Sequence, residues 1–184
     1  MRVTGGLARG QVLKVPRNVI IRPTTDRVRE AIFSILGSLE TYWNRCLDLY
    51  AGTGALGIEA LSRGATWVDF VEKERRCCDI IKLNLDKLEF NARSRVYCYD
   101  VIRTMDILKE KYDLVFVDPP YADMSLESVL EQVGKADYMS EDSMTIVSHS
   151  SRVKLKENYG KIFLLKDKRY GDTAISIYRM EADN

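Results

Sequence analysis

Residues 48–57 read Asp-Leu-Tyr-Ala-Gly-Thr-Gly-Ala-Leu-Gly. Gly52, Gly54 and Gly57 fit the G-x-G-x-x-G spacing. The run follows a short apolar strand predicted over Cys46–Tyr50 and opens a helix predicted over Gly57–Arg63. Glycines let the backbone turn sharply and approach a ligand closely. A chain with this loop is constrained to an α/β sheet that receives its ligand at the carboxyl edge. Glu72 ends the next predicted strand, Trp67–Val71, 20 residues after Gly52, where an acid can bond ribose hydroxyls. Taken alone, the loop fits a dinucleotide enzyme equally well. A bland tight turn is disfavoured because strand, loop, helix and acid all agree.

The rest of the chain alternates in the same way. Helix Arg75–Leu88 is predicted, then strand Val96–Tyr99 and the apolar run Leu114–Val117, which suits a strand buried on both faces. Helix Leu126–Val133, strand Met144–Val147 and a closing antiparallel pair, Ile162–Leu165 and Ala174–Tyr178 around Tyr170-Gly171-Asp172, complete the pattern. The expected fold is a Rossmann-like α/β domain over residues 37–184. Its sheet is mostly parallel and seven-stranded, with an antiparallel closing strand and helices on both faces. Residues 1–36 are expected to form a separate arm. It would contain a small hairpin from Gln11–Val15 and Val19–Ile21, then a helix capped by Thr25 or Asp26 with Val28, Ala31, Ile32, Ile35 and Leu36 on one face. At 184 residues the chain has room for about one such domain.

Two further features tilt the glycine loop away from a dinucleotide. Asp48 stands just before it, where a carboxylate can hold a cationic or amine-bearing ligand. S-adenosylmethionine (SAM) carries an ammonium and a sulfonium, whereas NAD carries no amino-acid moiety. Asp100 is placed to accept from an adenine amino group or to cap the helix starting at Val101, and the two roles are compatible. The second motif is Asp118-Pro119-Pro120-Tyr121, at the end of the most hydrophobic strand. Two prolines remove two N–H donors, leaving the Asp118 carboxylate and the Pro119 carbonyl as an edge of acceptors. Such an edge suits a planar exocyclic amine whose lone pair must point at a methyl donor. Tyr121 offers a face for stacking an extruded base.

With these residues in order, the chain resembles a class I SAM-dependent methyltransferase. More narrowly, it resembles the RsmD-like family of bacterial 16S rRNA guanine-N2 methyltransferases. The resemblance runs through Gly5-Gly6 and Arg9-Gly10, the stretch from Arg22-Pro23-Thr24-Thr25-Asp26 to Phe33, the stretch from Leu47 to Ala65, the DPPY motif and Tyr170-Gly171-Asp172-Thr173. It implies catalysis by Asp118, Pro119, Pro120 and Tyr121. The candidate cofactor set is Asp48, Tyr50, Ala51, Gly52, Thr53, Gly54, Gly57, Glu59, Glu72, Lys73, Asp100 and Val101. Tyr50 and Thr53 stand where the family often has Phe and Ser. Ser148-His149-Ser150 stands where members often carry a glutamate. His149 is read as structural, because an exocyclic amine sheds its proton readily after methyl transfer.

Charge suggests the partner. The formal net charge is +1, from 28 Lys/Arg against 27 Asp/Glu, which on its face argues against nucleic acid. Residues 1–29, however, hold seven Lys/Arg and one Asp, while the remainder is net −5. Arg2, Arg9, Lys14, Arg17, Arg22, Arg27 and Arg29 are the expected phosphate contacts, with Thr24 beside them; Arg22 and Thr24 are alternatively a lid over the pocket. The expected partner is 16S rRNA, naked or in a partly assembled 30S subunit. Adenine-N6 and protein-glutamine methyltransferases remain alternatives, although those relatives often carry Asn at the position of Asp118. An NAD oxidoreductase is disfavoured because DPPY has no role in hydride transfer. A non-catalytic RNA-binding protein is disfavoured by the intact site. A single histidine and four cysteines without a CxxC pair argue against a metal site. Unpatterned cysteines suit a reducing compartment. No membrane span or signal peptide is expected, and a cytoplasmic monomer is the expectation.

Overall fold

The computed structural model describes residues 1–16, 25–39, 43–120 and 124–181. In chain order the elements are α1 (Asp26–Ser38), β1 (Arg45–Leu49), α2 (Ala55–Ser62), β2 (Trp67–Val71), α3 (Arg75–Lys87), β3 (Ser94–Tyr97), α4 (Val101–Met105), β4 (Tyr112–Val117), α5 (Leu126–Val133), β5 (Met139–Ser150), β6 (Asn158–Tyr159), β7 (Ile162–Tyr170) and β8 (Thr173–Met180). The strands form one sheet in the order β3-β2-β1-β4-β5-β8-β7-β6. Strands β1 to β5 are parallel to their neighbours among themselves. β8 enters antiparallel beside β5, and β7 and β6 continue antiparallel. The described sheet has eight strands rather than seven, because the two residues of β6 add an edge strand beside β7. Chain direction reverses its march between β1 and β4, and ligands of open α/β sheets bind outside such a switch point.

Side-chain alternation divides the core. Cys46, Val68, Phe70, Leu114, Phe116, Ile146 and Ile177 point to one face, under α1, α2 and α3. Leu47, Leu49, Val71, Val115, Val117, Val147 and Tyr178 point to the other, under α4 and α5. The central strands are thus apolar on both faces, as their sequences require. Helix α1 begins at Thr25, whose hydroxyl accepts from Val28 N at 3.3 Å, so Thr25 rather than Asp26 is the cap. Phe33 of α1 meets Phe116 of β4 at a ring distance of 5.8 Å.

The arm is not a detached piece among the described residues. Val3, Ala8 and Leu13 join α1 and α2 in one core cluster. The expected hairpin is not seen in that form: the described pairing is an antiparallel bridge between Arg2 and Val12, and Val19–Ile21 lie outside the described residues. Gly6 at the tip has φ +74 with the Ser62 carbonyl against its Cα, a position that needs glycine. A disulfide joins Cys78 on α3 to Cys98 after β3, with Cα atoms 6.0 Å apart. The reading of the cysteines as unpatterned is corrected here, since tertiary folding brings two of them together. Cys46 and Cys77 remain buried thiols. Among the described residues no helix is long and apolar enough to cross a membrane, and no cluster of metal-ligating side chains occurs.

Candidate active site

The site grows from two neighbouring strand ends. Leu49 pairs with Val117 as the last residues of β1 and β4, so Tyr50 and Asp118 leave the sheet side by side. Tyr50 has φ 62, a left-handed conformation that starts the sharp turn into the glycine loop. The loop closes on itself: Ala51 N donates to Val71 O at 2.9 Å, and Gly54 N to Ala51 O at 2.7 Å. Gly54, at φ +80, caps α2; a Cβ there would press on Ile58 and Ile81 at 3.3 Å. A Cβ on Gly57 would overlap the Phe70 ring and sit 2.9 Å from Val68 Cγ1. Gly57 therefore lets α2 lie directly on β2, which fixes the loop at the sheet edge.

Asp48, on β1, is 1% exposed. Its Oδ2 accepts from Gly57 N at 2.9 Å, tying strand to helix beneath the loop. Burial, followed by the nearby Asp118 and Glu72 carboxylates, raises its pKa from 3.8 to about 8, against the lowering effect of the Gly57 bond. Glu72 spans the loop on the other side. Its Oε2 accepts from Gly52 N and its Oε1 from Glu74 N, both at 2.8 Å. Asp100 caps α4, accepting from Ile102 N at 3.0 Å, with its carboxylate exposed. Asp118 is half-buried, Pro119 buried and Pro120 exposed. A chain of acids thus runs along the carboxyl edge from β3 to β4. Asp48 in particular is a carboxyl whose burial holds its pKa well above the usual carboxylate range. That set of acceptors fits a ligand with fixed positive charge, a ribose and an amino-bearing ring.

Not every expected site residue points this way. Glu59 is 0% exposed and faces the arm. Its carboxylate accepts from Thr4 N at 2.8 Å, Thr4 Oγ1 at 2.6 Å and Arg63 Nε at 2.8 Å. A carboxylate so fully engaged anchors the arm and has no oxygen turned to a cofactor. Thr53 is also buried, its hydroxyl on Met1 Sδ at 3.4 Å. Tyr50 and Ala51 line the turn, Lys73 is exposed, and Val101 is buried in the first turn of α4. Among the arm cations, Arg2, Arg9, Lys14 and Arg27 are exposed. Arg29 is not: it is 0% exposed and bonds the Arg2 carbonyl and Asp26, so it braces α1 against the arm instead of facing RNA. Arg17, Arg22, Thr24 and Tyr121 lie outside the described residues.

Asn84 escaped the sequence reading. It is buried on α3, donating to Thr53 O at 3.2 Å and Lys14 O at 3.1 Å and accepting from Lys14 N at 2.7 Å. It couples the arm to the glycine loop. The available signal was a polar residue between Ile81 and Leu85 on an otherwise apolar helix face. Tyr50 and Ser125, hydroxyl to hydroxyl at 3.3 Å, likewise link the loop to the approach of α5.

A parallel sheet with an antiparallel strand set beside β5, a glycine loop after β1 and an acid-Pro-Pro motif after β4 define a class I methyltransferase. Comparison with known proteins agrees. The family described as "Conserved hypothetical protein 95" matches residues 1–179, and the chain belongs to this family. It is 35% identical over 184 residues to the candidate rRNA methyltransferase YlbH of Bacillus subtilis, covering 97% of this chain and 98% of that one. It is 32% identical to the ribosomal RNA small subunit methyltransferase D of Escherichia coli, over 99% of this chain and 91% of the relative. The solved structure of a candidate methyltransferase of Escherichia coli, yhhF, superposes with a TM-score of 0.88 at 30% identity, covering 100% and 99% of the two chains.

Proposed function

We propose that the protein transfers a methyl group from SAM to the exocyclic N2 of a guanine in small-subunit (16S) ribosomal RNA, naked or in a partly assembled 30S particle. The observation that carries this reading is the placement of Asp118-Pro119 next to the glycine loop at the switch point, with Asp48 buried between them. SAM, when bound, supplies an electrophilic methyl on a sulfonium. Asp48 supplies the counter-charge, Glu72 an acceptor for ribose hydroxyls, and Asp100 an acceptor for an adenine amine. Asp118 and the Pro119 carbonyl accept the two N–H groups of the target amine. Holding both orients its lone pair, and orientation of this kind supplies a large share of rate acceleration in a bimolecular step. Transfer releases the sulfonium sulfur as a neutral thioether and leaves a methylated arylammonium cation, a strong acid whose surplus proton is lost to water without a dedicated base. The arm cations Arg2, Arg9, Lys14 and Arg27 meet RNA phosphates.

The relatives named as small-subunit methyltransferases support the RNA substrate. The acid at 118 supports a guanine amine. The test is Asp118→Ala. Transfer to small-subunit RNA should fall by about 100-fold or more, with SAM binding by calorimetry retained. Wild-type transfer by this variant refutes the role of Asp118.

A further inference from the structure

Charge segregates a second time in this chain. Residues 152–169 hold seven Lys/Arg against two acids, a net of +5 in a chain whose total is +1. This segment contains a cavity. After β5, residues 151–157 fold over the face formed by β5, β8 and β7 and enclose about 290 Å³. Arg152 and Lys154 line it from above and Arg169 from β7, with His149, Asp167 and Glu157 also in the wall.

Register places this cavity beside the catalytic motif. Val117 pairs with Val147, Val147 with Ser176, and Ser176 with Asp167. Two residues further toward the carboxyl edge, His149, Ala174 and Arg169 occupy one row across β5, β8 and β7, and Pro119 follows the end of β4 by two residues. Three inter-strand steps put Asp167 of β7 roughly 14 Å from Val117, the last residue of β4 before the Asp118-Pro119 motif. The cavity opens on the face opposite the one that carries the arm, so basic segments flank the catalytic edge from both sides.

The charges at its mouth are available. Arg152 and Lys154 are exposed, and their side chains make no ion pair among the described residues. Lys156 and Arg179, by contrast, are held by Glu127 and Glu131 and by Asp142. Arg169 uses Nε on Gly171 O at 2.9 Å, which orients its guanidinium. Two acids share the wall, Glu157 and Asp167; Asp167 Oδ1 accepts from Ser176 Oγ at 2.7 Å, and Ser176 Oγ meets His149 Nε2 at 2.8 Å. His149 Nδ1 meets Ser150 O at 3.0 Å. His149, 4% exposed, lines this cavity.

We propose that this cavity, with Arg152, Lys154 and Arg169 at its mouth, holds an RNA backbone phosphate adjacent to the nucleotide whose base is presented to Asp118 and Pro119. The inference rests on the RNA substrate proposed above. It also places a basic segment within a remainder whose net charge is −5.

The test is the triple variant R152Q/K154Q/R169Q in the full chain, with a small-subunit rRNA fragment. Affinity is followed by fluorescence anisotropy from about 50 to 200 mM salt. Relative to wild type, affinity at the lowest salt should fall about tenfold, and the slope of log K against log salt should flatten by about 1. SAM binding by calorimetry should be unchanged, which also shows that the variant is folded. An unchanged slope and affinity, with a wild type that methylates the fragment, overturns the phosphate site alone. A wild type that neither binds nor methylates RNA overturns the site together with the functional reading. Unchanged RNA binding with lost binding to an acidic polypeptide assigns the surface to a protein partner and likewise overturns the proposal.

Discussion

Asp48→Asn isolates the electrostatic centre of the site. The substitution keeps an acceptor for Gly57 N, bonded to Asp48 at 2.9 Å, and removes the titrating group. With a pKa of about 8, Asp48 is about nine-tenths protonated at pH 7. Ionising it there costs about 1.4 kcal/mol. A cationic ligand brings the pKa down, so SAM binding at pH 7 should expel about 0.9 proton. Calorimetry in two buffers of different ionisation enthalpy reads this number directly. Asp48→Asn should release about none and bind SAM about 10- to 100-fold more weakly, the loss expected for a charge-assisted contact. Stability carries the same signature with a worked sign. The folded, ligand-free protein holds the Asp48 proton more tightly than the unfolded chain does. Its contribution is therefore full below about pH 4 and is lost as pH rises toward 8, at up to about 1.4 kcal/mol per pH unit. Thermal melts of wild type should fall with pH across this window relative to Asp48→Asn. Equal proton release by the two proteins, or none by either, refutes the placement of a cation beside Asp48.

Other residues give sharper structural tests. Glu59→Gln should cost about 2–4 kcal/mol in urea unfolding, since it weakens a buried cluster with Thr4 and Arg63; lost SAM affinity at unchanged stability would return Glu59 to the cofactor site. Gly57→Ala should cost about 1–3 kcal/mol by pressing α2 off Phe70 and Val68, seen as a lower thermal midpoint; an unshifted midpoint contradicts that packing. Thiol titration of the denatured, unreduced protein should find two free thiols, Cys46 and Cys77. Opening the Cys78–Cys98 link, which closes a span of 20 residues, should lower stability by about 3 kcal/mol; four thiols before reduction contradict the pairing.

What was readable in the sequence followed local chemistry. The glycine loop, the strand alternation and Asp118-Pro119-Pro120 announce themselves through residue types whose backbone or donor properties permit few arrangements. What was not readable depended on distant partners. Glu59 looks like a residue of the cofactor loop until Thr4 and Arg63 are seen to occupy its carboxylate. Arg29 looks like a phosphate contact until α1 buries it against Arg2 and Asp26. Cys78 and Cys98 share no motif; α3 packing beside β3 brings them together. Strand β5 continues past Val147 to Ser150, and β8 starts at Thr173, because the two run on as one ladder beyond the apolar residues. The second basic segment was hidden by averaging, since its cations were counted with the acids of the whole body.

The most direct test of the central claim is the identity of the methylated nucleoside. Purified protein, radiolabelled SAM and small-subunit rRNA from a strain lacking the corresponding gene are incubated, and the RNA is digested to nucleosides. N2-methylguanosine should carry the label, and Asp118→Ala should lower it by about 100-fold or more. Label on adenine N6, on protein, or on no product contradicts the account.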